Sequence, residues 1–97
     1  ILLDTKNVII SKEVISKGIL DASLVHPREA FKAAVKKSAK SIIFVHNHPS
    51  GDMNPSKYDL LTTKKLVDAG NILDIKVLDH IIIADNDYYS FKKENLI

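Results

Sequence analysis

Ser41-Ile42-Ile43-Phe44-Val45-His46-Asn47-His48-Pro49-Ser50-Gly51-Asp52-Met53-Asn54-Pro55-Ser56-Lys57-Tyr58-Asp59 is the stretch around which the chain is organised. Its first five residues are apolar or β-branched apart from Ser41, which predicts a buried strand. His46 and His48 close that run two positions apart, and in extended backbone side chains two apart share a face. Pro49, Gly51 and Pro55 break regular structure and let the chain turn. Ser56-Lys57-Tyr58-Asp59 is a helix start signal of the Ser-x-x-Asp type. The turn therefore brings the first turn of a helix back to the end of a strand, where two imidazoles and a carboxylate meet.

Three such ligands suit a catalytic zinc, which keeps a fourth position for water or substrate. Two neutral imidazoles and one carboxylate leave residual positive charge on the ion, which drives bound water towards hydroxide with a pKa near about 7. Plainer readings stand beside this one. Ser56 and Asp59 also fit a simple capping box, and His46 and His48 could be polar residues at a strand mouth. Capping and ligation are compatible, because a capped turn holds Asp59 still. A two-histidine, one-carboxylate set can also hold Fe(II) for oxygen chemistry.

His46-x-His48-Pro49 and Ser56-x-x-Asp59, with seven residues between His48 and Ser56, resemble the JAMM signature of the JAB/MPN metalloprotease family. The longer string His46-Asn47-His48-Pro49-Ser50-Gly51-Asp52 with Pro55-Ser56 is similar to its RadC-like branch. So, in the same order, are Leu3-Asp4-Thr5-Lys6-Asn7, His26-Pro27-Arg28-Glu29 and Leu78-Asp79-His80-Ile81-Ile82. The resemblance covers nearly the whole chain. It implies an α/β fold of the cytidine-deaminase-like three-layer sandwich type, a mixed β-sheet with helices packed on it. It also implies one Zn2+ held by His46, His48 and Asp59, hydrolysis of an amide or isopeptide bond in a peptide or protein substrate, and Ser56 as the hydrogen-bonding partner of the oxyanion. The family's general acid/base is a glutamate early in its first strand. Matching Ile1-Leu2-Leu3-Asp4 to the end of that strand places this glutamate just before residue 1. Glu13 falls on the wrong arm of the first hairpin and Glu29 belongs to a helix, so neither is assigned.

Working outward, the chain has 97 residues, 45% hydrophobic and 27% charged, as expected of one small globular domain of limited core. It opens on Ile1-Leu2-Leu3 without an initiating Met, which reads as a piece of a longer protein starting inside a strand. The absence of cysteine excludes disulfides and thiolate metal sites and fits a cytoplasmic setting. No apolar run has the ~18 to 20 residues needed to span a bilayer, so no membrane partner is expected. RadC-like proteins are commonly labelled as DNA-repair proteins, so a DNA-associated or protein-binding module without turnover is the alternative. A net charge of +2, six aromatics and no zinc-finger cysteines give nucleic acid little support.

Asp4-Thr5-Lys6-Asn7 predicts a turn, with Val8-Ile9-Ile10 as the returning arm of a hairpin that continues past a kink through Lys12–Lys17 to Gly18. Leu20 to Val25 reads as a further extended piece. Pro27 and Glu29 suit the start of a first helix, with His26 at its entrance and Phe31, Ala34 and Val35 as its apolar stripe. Lys32, Lys36, Lys37 and Lys40 read as its solvated face. A second helix is predicted from about Lys57 to Ala69, buried through Leu60, Leu61, Leu66 and Val67 and stopped by Gly70. Ile75 to Ile83 reads as a strand, Ala84-Asp85-Asn86-Asp87 as a hairpin turn and Tyr88–Phe91 as a final strand. Asp79 and His80 interrupt the first of these strands. They suit a polar pair at a sheet edge, or partners of metal-bound histidines.

Overall fold

The computed structural model describes residues 1–15, 25–48 and 50–97. Its elements are β1 (Leu2–Leu3), β2 (Ile9–Ser11), α1 (Pro27–Lys36), β3 (Ser41–Asn47), α2 (Lys57–Leu73), β4 (Lys76–Ala84) and β5 (Asp87–Ser90). They form one five-stranded sheet in the order β2-β1-β3-β4-β5. The β3/β4 pair is parallel, while β1/β2, β1/β3 and β4/β5 are antiparallel. This is the mixed sheet with helices packed on it that the resemblance implies. The described residues carry the sheet and one helical layer, and the expected strand through Lys17 and the extended piece from Leu20 fall largely on residues 16–24, outside them. The described part of that expectation, Lys12 to Ile15, is not strand, and β2 ends at Ser11.

The first hairpin turns as expected, because the Asp4 carboxylate accepts from the backbone N–H groups of Lys6 and Val8 at 2.8 and 3.0 Å. Asn7 there takes a left-handed conformation (φ 60°) that Asn tolerates better than most residues. Pro27 opens α1 at its first position, after an extended His26. The helix buries Ala30, Phe31 and Ala34, whereas Val35 is 56% exposed. At about 100° per residue, Ala30, Ala34 and Phe31 span one arc and Val35 lies beyond its edge. The stripe is rotated from the expected one by a fraction of a turn.

In α2 the difference is larger. Leu66 is buried as expected, but Leu60 and Leu61 are 41% and 55% exposed, and the residues buried beside Leu66 are Asp59, Thr62, Thr63 and Gly70. Those positions follow i, i+3, i+4, i+7 and i+11, a proper helical stripe whose first two turns are polar. Nor does Gly70 end the helix, which runs to Leu73 and closes on Asp74 in the left-handed conformation (φ 56°). Gly70 is needed for space. A Cβ there would run into the Ile75 carbonyl and lie 3.2 Å from a Val77 methyl.

One core cluster joins Leu2, Ile42, Phe44, Ile75 and Val77 of the sheet side to Ala30, Phe31, Ala34 and Leu66 of the helices. The Phe31 and Phe44 rings meet edge to face with centroids 5.7 Å apart, a favoured aromatic geometry. No helix among the described residues is long and apolar enough to cross a membrane. The parallel β3–α2–β4 unit has one consequence for function. It leaves the carboxyl end of β3 facing the N-terminus of α2, the region where open α/β sheets bind ligands.

Candidate metal centre

β3 pairs with β4 along its whole length, ending at Asn47 opposite Ile83. The ladder continues one step further, since the His48 N–H donates to the Ile83 carbonyl at 2.9 Å. That bond fixes the backbone of the second histidine beyond the strand end. Gly51 then turns the chain with φ 82°, and a Cβ on it would lie 2.6 Å from a carboxylate oxygen of Asp85 in the β4–β5 turn. That conformation favours glycine, and an added Cβ would also push the Asp85 side chain aside. The expected contribution of Pro49 lies outside the described residues.

Ser56 caps α2 reciprocally. Its Oγ accepts from the Asp59 N–H at 3.0 Å, and Asp59 Oδ2 accepts from the Ser56 N–H at 2.8 Å. The capping box is therefore real, and it coexists with the other geometry. Asp59 is 1% exposed. Its Oδ1 lies 3.3 Å from His46 Nδ1 and its Oδ2 lies 3.0 Å from His48 Nε2. One donor atom from each of the three residues falls within 4.8 Å of the others. His46, His48 and Asp59 are thus positioned to bind a metal ion.

The donor chemistry fits such an ion. Tetrahedral zinc with arms of about 2.0–2.1 Å sets its ligand atoms roughly 3.3 Å apart, and each histidine nitrogen lies 3.0–3.3 Å from one Asp59 oxygen, with the one-atom-per-residue set inside 4.8 Å. The His48 Nδ1–H donates to the Asp52 carbonyl at 2.8 Å, which leaves Nε2 as the lone-pair nitrogen facing Asp59. Asp52 is itself held, because its Oδ1 accepts from both the backbone and side-chain N–H of Asn54. Burial lowers the His46 pKa, against the opposing pull of Asp59 and with a further push from His48. Its imidazole is thereby favoured in the neutral, ligating form. For Asp59 burial acts to raise the pKa, but the two Ser56 hydrogen bonds and the facing histidines outweigh it and hold the carboxyl below its ordinary value. An ionised buried carboxylate beside an imidazole favoured in its neutral form suits metal binding, which needs deprotonated ligands.

The structure corrects the sheet-edge reading of Asp79 and His80, since β4 lies between β3 and β5. His80 is 5% exposed. Its ring stacks on Phe91 (4.7 Å, 12°) and on His46 (6.1 Å, 18°). Thr63 Oγ1 donates to the Asp59 carbonyl at 2.8 Å, so it receives the His80 Nδ1–H at 2.5 Å. Burial, reinforced by His46, pushes the His80 pKa down to about 4. Asp79 points the other way and accepts from Ser90 Oγ (2.6 Å) and the Lys92 N–H (3.0 Å), tying down the turn that carries Phe91. Thr63 carries no motif. Its one signal is the helical i+4 spacing from Asp59.

Of the two glutamates left unassigned, Glu13 pairs with Lys37 at 2.8 Å and Glu29 occupies the first turn of α1. Neither belongs to the three-residue group.

The family model described as RadC-like JAB domain matches residues 1–96. The chain is similar to three proteins each called a UPF0758 protein. That of Desulforamulus reducens is 56% identical over 100% of this chain and 43% of its own length. That of Finegoldia magna is 59% identical over 96% of this chain and 42% of its own. The one from Methanosarcina mazei is 56% identical over 98% and 42%. The chain thus spans about two fifths of the length of the curated relatives it matches.

Proposed function

Because the chain belongs to the RadC-like JAB domain family, we propose that it is a zinc-dependent hydrolase of the metallopeptidase type, acting on an amide or isopeptide bond of a peptide or protein substrate. The observation that carries this reading is the convergence of His46, His48 and the buried, ionised Asp59 within 4.8 Å. Zinc, when bound, supplies Lewis acidity for carbonyl activation and water ionisation. The protein's own residues do the rest. Asp52 orients His48 through its carbonyl, and the capping box holds Asp59 against the two imidazoles. Ser56 spends only a lone pair on capping. Its O–H remains to donate to an oxyanion developing beside the α2 N-terminus, in the manner of other oxyanion donors.

A metal-holding binding module without turnover is the second reading. It needs only the ligand group itself, and among the described residues neither Glu13, which pairs with Lys37, nor Glu29 joins that group. Metal analysis of protein purified without added zinc tests the shared premise. We expect about one zinc per chain, lost in His46→Ala, His48→Ala and Asp59→Ala. Full zinc content in folded His46→Ala and Asp59→Ala variants would refute the ligand assignment. With zinc confirmed, hydrolysis of peptide or isopeptide bonds separates the enzyme from the binding module.

A further inference from the structure

The candidate ligands come from two elements that meet at the His46–Asp59 contact (3.3 Å): His46 lies near the end of β3, with His48 just past it, and Asp59 sits in the first turn of α2. One side chain touches both. The His80 ring lies parallel to that of His46, and its Nδ1–H reaches Thr63, whose hydroxyl holds the Asp59 carbonyl. Phe91 backs the opposite face of His80 at 4.7 Å, so the ring is held from both sides. In the parallel β3/β4 register, Phe44 lies opposite His80 and His46 opposite Ile82. His80 and His46 are therefore diagonal neighbours on one face of the sheet. Thr63 follows Asp59 by one helical turn and is buried with it.

We propose that His80 and Thr63 are positioning residues for the metal centre, setting the separation between the strand-borne and helix-borne ligands. The inference rests on the ligand assignment above. Its physical basis is that an isolated hydroxyl at position 63 would need only the i−4 carbonyl, an ordinary helix contact. The second bond, to a ring stacked on a metal ligand, converts that contact into a link between elements. Groups that orient ligands in this way commonly change metal affinity by about 10–100-fold when removed.

Thr63→Val removes the hydroxyl at constant shape, and His80→Phe keeps an aromatic ring for both stacks while deleting the donor. Zinc affinity, read by competition with a chromophoric chelator, should fall by about 10–100-fold in each. Thr63→Ser, which retains the hydroxyl, should recover affinity to within about threefold of the parent. The visible spectrum of the cobalt(II)-loaded protein reports ligand geometry. It should change in Thr63→Val and His80→Phe and return in Thr63→Ser. A lower melting temperature with unchanged zinc affinity and unchanged cobalt spectrum would mean that the pair is merely structural, and would overturn the proposal. Should Thr63→Val fail to fold, Thr63→Ala and Thr63→Ser form the comparison, and equal affinities in those two would overturn it equally. Zinc retained by His46→Ala and Asp59→Ala would bring down the ligand assignment, and this inference with it. Zinc lost in those variants but held with parental affinity by Thr63→Val and His80→Phe would bring down this inference alone.

Discussion

Ser56 does one thing with its lone pair and is free to do another with its proton, and the two roles separate by substitution. As a cap it accepts from the Asp59 N–H at 3.0 Å, so Ser56→Ala should lower stability by about 1 kcal/mol and Ser56→Asp should restore it. As an oxyanion donor it should support turnover by about a hundredfold or more, which Asp, lacking a proton at neutral pH, cannot rescue. Denaturant melts and rate measurements on the three proteins decide between these outcomes, and recovery of rate in Ser56→Asp would end the catalytic role. His80 makes a separate prediction about pH. Burial lowers its pKa from 6.5 to about 4. Between those values the unfolded chain binds the proton and the folded one does not, so stability falls as pH falls. The slope from this group alone approaches about 1.4 kcal/mol per pH unit. Metal-free His80→Phe should therefore show a flatter loss of stability between pH 6.5 and 4 than metal-free parent protein, and parallel curves would show that His80 is not the group responsible.

At the scale of elements, Gly70 reverses a familiar expectation. Replacing glycine by alanine inside a helix ordinarily stabilises by roughly 0.5–1 kcal/mol. Here the added methyl would meet the Ile75 carbonyl as the chain leaves α2 for β4, so Gly70→Ala should instead destabilise by about 1–3 kcal/mol, as overpacking does. A denaturation midpoint raised by the substitution would show that the helix–strand connection can yield. The same position illustrates what could be read before the fold was known. The candidate site was legible because His46, His48, Ser56 and Asp59 lie within one short stretch, and His46, His48 and Asp59 do come together in the structure. Glycine as a helix stop was a sound local rule, but tertiary crowding placed Gly70 inside α2 and gave the left-handed terminus to Asp74. Leu60 and Leu61 misled for a related reason. The α2 face turned to the sheet near the centre carries Asp59, Thr62 and Thr63, so there polarity marks the inside. His80 could not be ranked from sequence because its neighbours come from β3, α2 and the turn after β5.

For the molecule as a whole, the apolar cluster and the ligand group divide the β3–α2–β4 unit between them. Phe44, Leu66, Ile75 and Val77 pack with α1, while beyond them His46 and Asp59 join the end of β3 to the start of α2. A chain of 97 residues buries a limited fraction of its surface and has little stability to spare. Without an ion, the junction relies on histidine–carboxylate contacts whose imidazoles favour the uncharged form at His46. An ion bound there ties strand to helix in the folded state only, so its binding free energy adds to folding. At free zinc of one hundred times Kd the gain is about 2.7 kcal/mol. For a domain of this size each kcal/mol raises Tm by roughly 4–8 °C, which predicts an increase of roughly 10–20 °C on zinc addition. Asp59→Ala should melt below the metal-free parent, because a cap bond and both histidine contacts go with the carboxylate. It should also gain almost nothing from zinc. An undiminished zinc-dependent rise in that variant would place the stabilising ion elsewhere on the protein.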